Sequence, residues 1–273
     1  PYPVTVSFGP PLPPHTPAYE LRNAIRTLGE AAWALRKPDR HPLHREFIRA
    51  MRRRPFRFVM ADHRRPHVSA AQALIGSIAL ARALCASWQG QRHVGILLPP
   101  SVAGALANVA APLCGKTSVN LNYTVGRSGL EAAVRQAGLR TILTSRAFIE
   151  KAKLELPEGP SMLWIEDVAA TIGRKDKWLA ALLGFFAPAR IIERACGQEV
   201  PVSIDDLATI IFSSGSTGEP KGVMLSHYSV DANAQGATQV LHLYQQERVL
   251  GILLARVLER VLPEALERDG FQI

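Results

Sequence analysis

The chain has 273 residues, 47% hydrophobic and 20% charged. That is enough to bury one large core or two modest ones, and it excludes collagen-like, disordered and disulfide-framework classes. Cys85, Cys114 and Cys196 stand far apart with no CxxC pair, which argues against a zinc site and fits a reducing compartment. The formal net charge of +9 is local, because residues 1–70 hold 13 Lys+Arg against 5 Asp+Glu.

In chain order, Tyr2–Phe8 alternates Val4 and Val6 with Thr5 and Ser7 and predicts a short strand, ended by Gly9 and the prolines at 10, 11, 13 and 14. No signal peptide is visible, and a first residue Pro1 reads as a cut from something longer. Thr16 is placed to cap a helix that has Pro17 at its first position and Leu21, Ile25, Leu28 and Ala32 as its apolar stripe. Lys37–Asp39 reads as a linker. A second helix is predicted over about 42–54, with Leu43, Phe47 and Met51 on one face. Its arginines, Arg49, Arg52 and Arg53, and Arg54 and Arg57 beyond it, leave two readings open. One is a solvated helix face. The other is attraction to an anionic membrane surface. No zinc-finger spacing or RNA-binding aromatic motif supports nucleic acid.

From Phe56 the texture changes to alternating strands and helices. A strand is predicted over 56–61, then a helix from the capping box Ser69-x-x-Gln72 to about Trp88. Strand 94–98 and a helix over 101–114 opened by Ser101 follow. Val94–Gly115 carries no charge, but Pro99, Pro100 and Pro112 interrupt it, so no membrane span is expected. Next come strand 117–121, a helix over 127–137 ended by Gly138, strand 141–144, helix 145–153 and strand 162–166. A longer apolar helix over Lys177–Ala195 is interrupted at Pro188. This rhythm predicts an α/β fold with a parallel or mixed sheet flanked by helices. Trp33, Trp88, Trp164 and Trp178 show no stacking pattern and are expected in or against the core.

The strongest motif is LATIIFSSGSTGEPKGVMLSH at 207–227. A buried strand, Leu207–Phe212, runs into a loop with three glycines, four hydroxyl side chains and Lys221, and a second strand follows at Gly222–Leu225. Glycines let backbone N–H groups converge on phosphate oxygens, and a lysine adds a point charge. A Walker A loop is excluded, because the lysine lies behind Pro220 and a strand follows instead of a helix.

SSGSTGEPKGVMLSH resembles the phosphate-loop signature of the adenylate-forming superfamily, and VGILLPPSVAGALANVAAPLCGKTSVNLNYT and DDLATIIFSS agree with it. The resemblance implies a partial adenylate-forming-enzyme N-terminal domain over 56–250. YPVTVSFGPPLPP is similar to the tail of a glycerolipid acyltransferase domain, here 1–38, joined through a basic helix at 39–55. That order is found in bifunctional lysophospholipid acyltransferase–acyl-[acyl-carrier-protein] synthetases. The resemblance further implies ATP and Mg2+, a fatty acid substrate, and acyl carrier protein or CoA as the thiol acceptor. The expected location is cytoplasmic or peripheral on the inner face of the membrane. By the same resemblance Ser213, Ser214, Gly215, Ser216, Thr217 and Gly218 would wrap the β- and γ-phosphates and Lys221 would neutralise them. His227 follows the loop without an assigned role, as a site residue or as the cap of the next helix. No aromatic-Gly-x-Thr-Glu run occurs, and residues 251–273 read as a divergent amphipathic tail. The alternative is therefore a catalytically inactive fragment with weak nucleotide binding.

Overall fold

The computed structural model describes residues 6–35, 37–213 and 220–240, in two compact units divided between His41 and Pro42. In the first, Val6–Phe8 forms no strand; the rest of the predicted strand lies outside the described residues. Helix α1 (Ala18–Ala34) has Pro17 at its N-cap. The Thr16 hydroxyl does not cap it but donates to the Pro13 carbonyl at 2.7 Å, closing a turn. Gly9 runs against Leu28, where an added Cβ would stand 2.9 Å from Leu28 Cδ1. The predicted stripe is present on α1, but none of its residues is buried.

The second unit opens with α2 (Leu43–Arg53), so the basic helix predicted as part of a join packs into this unit's core. Its inward face is His44, Ile48 and Met51, one step round from the predicted Leu43–Phe47–Met51 stripe. The step arises because a histidine takes an inward position that hydropathy does not mark.

Strands β1 (Phe58–Met60) and β2 (Val68–Ser69) pair antiparallel as a small separate sheet. The Ser69 hydroxyl accepts from Gln72 N–H and the Gln72 side chain accepts from Ser69 N–H, so the predicted capping box opens α3 (Ala70–Leu84). Then follow β3 (His93–Leu97), α4 (Val102–Leu113, capped by Ser101), β4 (Thr117–Asn120), α5 (Gly126–Ala137), β5 (Thr141–Thr144) and α6 (Arg146–Ala152, capped by Ser145). Gly138 ends α5 in the left-handed conformation a glycine adopts at low cost. Strand β6 (Ser161–Trp164) stops two residues early, because Ile165 starts a helix the periodicity missed, α7 (Ile165–Thr171). The long apolar helix is two, α8 (Arg174–Phe186) and α9 (Ala189–Ala195), with Pro188 as the N-cap of the second. Strands β7 (Leu207–Ser213) and β8 (Lys221–Ser226) lead into α10 (His227–Val240).

The main sheet has the order β6-β5-β3-β4-β7-β8. Every neighbouring pair is parallel except β7–β8, which is antiparallel, so the sheet is mixed. Alternate strand residues feed two cores. Val94, Ile96 and Leu143 meet α2, α3, α4 and α8 on one face. Leu97, Val119, Ile142, Ile210 and Phe212 meet Leu130 and Val134 of α5 on the other. Burial on both faces explains why these strands read as continuous apolar runs.

Candidate functional site

Strand β7 reaches the site from inside the sheet. Ala208, Ile210 and Phe212 are buried while Ile211 faces outward, the alternation a strand imposes. It lies parallel to β4 through Ser118↔Thr209, Val119↔Ile210 and Asn120↔Ile211, and antiparallel to β8 through Ile211↔Val223, Phe212↔Gly222 and Ser213↔Lys221. The last pair brings the main chains of Ser213 and Lys221 side by side at the carboxyl end of β7. Ligands of open α/β sheets bind beyond this end. Ser214, Gly215, Ser216, Thr217 and Gly218 lie outside the described residues. Pro220 is buried and Lys221 exposed.

Gly222 has a different purpose from that expected of a loop glycine. It sits in β8 opposite Phe212, and a Cβ there would stand 3.2 Å from Ile210 Cγ2 and from Phe212 Cε1 and Cζ. It is small where the Phe212 ring crosses its strand.

A polar lattice holds β7 in register. The Asn108 and Asn120 side-chain amides exchange hydrogen bonds at 3.0 and 2.8 Å, and Asn120 Nδ2 also donates to Thr209 Oγ1 at 3.0 Å. The Thr209 hydroxyl donates to Ser118 O at 3.0 Å. Helix α4 and strands β4 and β7 are thus tied together one turn behind the hairpin.

The base of the hairpin carries a second network that the sequence did not disclose. His227, the first residue of α10, is 1% exposed. Its side chain does not cap α10. Nδ1 accepts from the backbone N–H of Leu43 at 3.3 Å, one of the orphan donors at the start of α2. Its main-chain N–H donates to Asp206 O at 3.0 Å, and Tyr228 N–H to Ile204 O at 2.9 Å. The His44 ring lies edge-on to that of His227 at 5.8 Å, and His44 Nε2 meets Glu193 Oε1 of α9 at 2.9 Å. Arg45 grips the same carboxylate with two nitrogens, Nε on Oε1 and one terminal nitrogen on Oε2 at 2.8 Å.

The charge states follow from this geometry. Burial, then the nearby His44, pushes His227 down to about 4. It is therefore a neutral imidazole whose Nδ1 lone pair serves Leu43. Burial would raise Glu193, but the bonds from Arg45 and His44 outweigh it and bring the carboxyl to about 2. Burial lowers His44 despite its bond to Glu193, and its Nδ1 has no hydrogen-bond partner among the described residues.

Among the described residues no group of three His, Cys, Asp or Glu side chains could hold a metal ion. A divalent cation at this hairpin would take its oxygens mainly from a polyphosphate. The cysteines are free. Burial raises Cys114 well above the ordinary thiol range and Cys196 to about 12, so neither offers a thiolate nucleophile. Asp206 Oδ2 accepts from Ser203 N–H at 2.7 Å and shapes the turn before β7. Trp88 is buried in the core, but Trp178 is exposed, against expectation. No described helix is long and apolar enough to cross a membrane.

Comparison with known proteins agrees with this geometry. The chain is 31% identical over 170 residues to 4-coumarate-CoA ligase 1 of Narcissus pseudonarcissus, covering 60% of this chain and 29% of that protein. It is 36% identical over 88 residues to long-chain-fatty-acid–CoA ligase 6 of Homo sapiens, covering 29% and 13%. The structure of O-succinylbenzoate coenzyme A synthetase from Bacillus subtilis, in complex with AMP, shares the fold with a TM-score of 0.58 at 19% identity, over 76% of this chain and 48% of that one. The chain spans less than a third of the two ligases and about half of the solved synthetase. Residues 47–255 match the family of AMP-binding enzymes along most of the second unit, β7–β8 hairpin included, and the chain belongs to that family.

Proposed function

We propose that the chain is the nucleotide-phosphate-holding part of an ATP-dependent acyl-activating ligase. The carrying observation is the pairing of Ser213 with Lys221, which brings together the two ends of the Ser/Gly/Thr segment at the carboxyl end of an inner strand. Ser213, Ser214, Gly215, Ser216, Thr217 and Gly218 would cradle the β- and γ-phosphates through N–H groups and hydroxyls, and the Lys221 ammonium would offset their charge. Mg2+, held largely by the phosphate oxygens, would help neutralise charge as a carboxylate approaches the α-phosphate. Among the described residues His227 meets Leu43, Asp206 and His44, and it fixes the strand-to-helix corner on which β8 returns.

A fatty acid is the proposed carboxylate, supported by the likeness to a long-chain-fatty-acid–CoA ligase, with CoA or acyl carrier protein as the thiol acceptor. The wording of residues 1–38, read as the tail of a glycerolipid acyltransferase domain, supports a place in phospholipid metabolism on the cytoplasmic side of the membrane. Arg53 and Arg54 of the arginine-rich segment are exposed and would meet an anionic surface there. Arg49 pairs with Glu46 at 3.2 Å, and Arg52 is turned inward onto carbonyls of α8.

A second reading is a catalytically inactive fragment or pseudoenzyme with at most weak nucleotide binding. Titration with a fluorescent ATP analogue in the presence of Mg2+ tests the site. Lys221→Ala should weaken binding about tenfold, the value of one charge-assisted contact, and equal affinity of the two proteins would overturn the assignment. Pyrophosphate release with ATP and a long-chain fatty acid separates the two readings. Turnover lost in Lys221→Ala favours the ligase, and binding without turnover favours the fragment.

A further inference from the structure

Helix α8 meets α3 through small residues, with Leu183 and Phe185 also against the core. Ala180 is fully buried, and at Gly184 a Cβ would stand 3.2 Å from Ile78 Cδ1 and Leu74 Cγ of α3. The opposite face carries Trp178, Leu182 and Phe186, which are 76%, 58% and 79% exposed. The spacing i, i+4, i+8 stacks them in one stripe along the helix. An aligned stripe of this size is unusual on a surface where scattered single apolar residues are the rule.

The surroundings of the stripe are cationic. Arg174, Lys175 and Lys177 are exposed at its start. The one acid of that turn, Asp176, accepts from Gly173 N–H at 3.0 Å and belongs to the helix cap. At the other end, Arg52 of α2 donates to the carbonyls of Leu183, Gly184 and Ala187. Gly184 O belongs to the last turn, where a helix leaves acceptors open, Ala187 is the C-cap, and Leu183 O is shared with the Ala187 N–H. The Arg52 bonds join the arginine-rich end of α2 to the last turn of α8. Beyond it, Arg53 and Arg54 are exposed, and Phe56 is 89% exposed.

We propose that the outer face of α8 and the arginine-rich end of α2 together form a surface that lies on an anionic lipid bilayer, Trp178, Leu182 and Phe186 entering the headgroup–acyl boundary and the cations meeting lipid phosphates. The proposal deepens the membrane-surface reading above and rests on it. An apolar stripe with aromatic members, rimmed by Lys and Arg, fits the chemistry of a bilayer interface. At 13 residues, or about 20 Å, α8 is long enough to lie in the interface and too short to span it. Arg52 has a structural part here, since it ties the end of α2 to the end of α8 instead of meeting lipid itself.

Co-sedimentation of the full chain with vesicles tests the proposal, using phosphatidylcholine alone and phosphatidylcholine mixed with phosphatidylglycerol. Binding should require the anionic lipid and weaken as salt approaches about 1 M, where charges are screened within about 3 Å. Replacing Trp178, Leu182 and Phe186 together by Ser should lower partitioning more than about tenfold. Arg53→Ser and Arg54→Ser should each lower it about fivefold. The Trp178→Phe protein should still sediment but lose the vesicle-induced blue shift of fluorescence. All these side chains are exposed, so melting temperatures and ATP-analogue binding should not change. Their constancy separates a failure of this surface from a failure of the nucleotide site. Undiminished sedimentation of the triple Ser protein would overturn the proposal. So would a salt-insensitive dimer that the triple Ser change converts to monomer without any vesicle binding, because the face would then belong to a second copy of the chain.

Discussion

Lowering the pH from about 7.5 to about 5 should destabilise the second unit by about 2 kcal/mol through His227 alone. The magnitude follows from the burial of this ring. Its pKa is about 4 in the folded chain against an ordinary 6.5. In the fold the imidazole stays neutral and accepts from Leu43, whereas in the unfolded chain it takes a proton below about 6.5. Stability from this group is therefore complete above about pH 6.5 and falls as the pH drops toward 4. The full separation of about 2.5 units corresponds to about 3.4 kcal/mol, of which about 2 kcal/mol is already lost at pH 5. His44 is lowered as well and acts in the same direction. Glu193 does not interfere in this window. Its pKa is lowered from 4.5 to about 2, so its contribution is present above 4.5 and disappears only as the pH falls from there toward 2. Urea unfolding followed by fluorescence at several pH values measures the slope. In His227→Asn an amide oxygen can accept from Leu43 without titrating, and the loss between pH 7.5 and 5 should shrink by most of the 2 kcal/mol. Parallel losses in the two proteins would refute the assignment of acid sensitivity to His227.

Gly222→Val should lower the melting temperature through overpacking of about 1–3 kcal/mol, and Phe212→Leu in the same chain should recover part of that loss, which differential scanning calorimetry can follow. Ser69→Ala removes the capping box of α3 and should cost about 1 kcal/mol in urea unfolding, with no change in ATP-analogue affinity. Arg45→Met leaves the Glu193 carboxylate with only His44 and should cost about 3 kcal/mol near neutral pH. In that protein the carboxyl should also titrate at higher pH, as read from the acid limb of the unfolding curve.

What could be read from the sequence depended on whether the signal was local. Ser69 and Gln72 stand three residues apart and can only reach one another, so the capping box is visible in the letters. Gly138 and the uncharged run at 207–212 are of the same kind, and so is the α/β rhythm, since strands buried on both faces must be apolar throughout. Three failures share one cause. Hydropathy marks Phe47, which does pack against the core, but passes over His44, which is buried because Glu193 lies 149 positions away to receive it. The partner of His227 lies 184 positions away. Trp178, expected in or against the core, is 76% exposed, because α8 meets α3 through Ala180 and Gly184 and the core through Leu183 and Phe185, and Trp178 stands on the other side of the helix. In each case the deciding fact is the identity of a distant neighbour.

The buried network also changes how the charge of the chain should be understood. The cationic excess of residues 1–70 invites treating the whole basic segment as a flexible join, yet its members have separate fates. Arg45 holds the carboxylate of Glu193, and Arg52 closes the last turn of α8. Through Leu43, α2 receives the lone pair of His227 directly behind β8. These three attachments bind one short helix to α8, to α9 and to the corner of the hairpin. Helix α2 is therefore a strut of the second unit, attached at the corner to which the strand beginning with Lys221 returns. The arginines left outside, Arg53 and Arg54, stand at the end of the helix that these attachments hold. A cation on a loose linker reaches an anionic surface in many orientations, but one held by a strut presents the whole unit to that surface in a single orientation. In that orientation the stripe of α8 and the cations of α2 would meet the bilayer together.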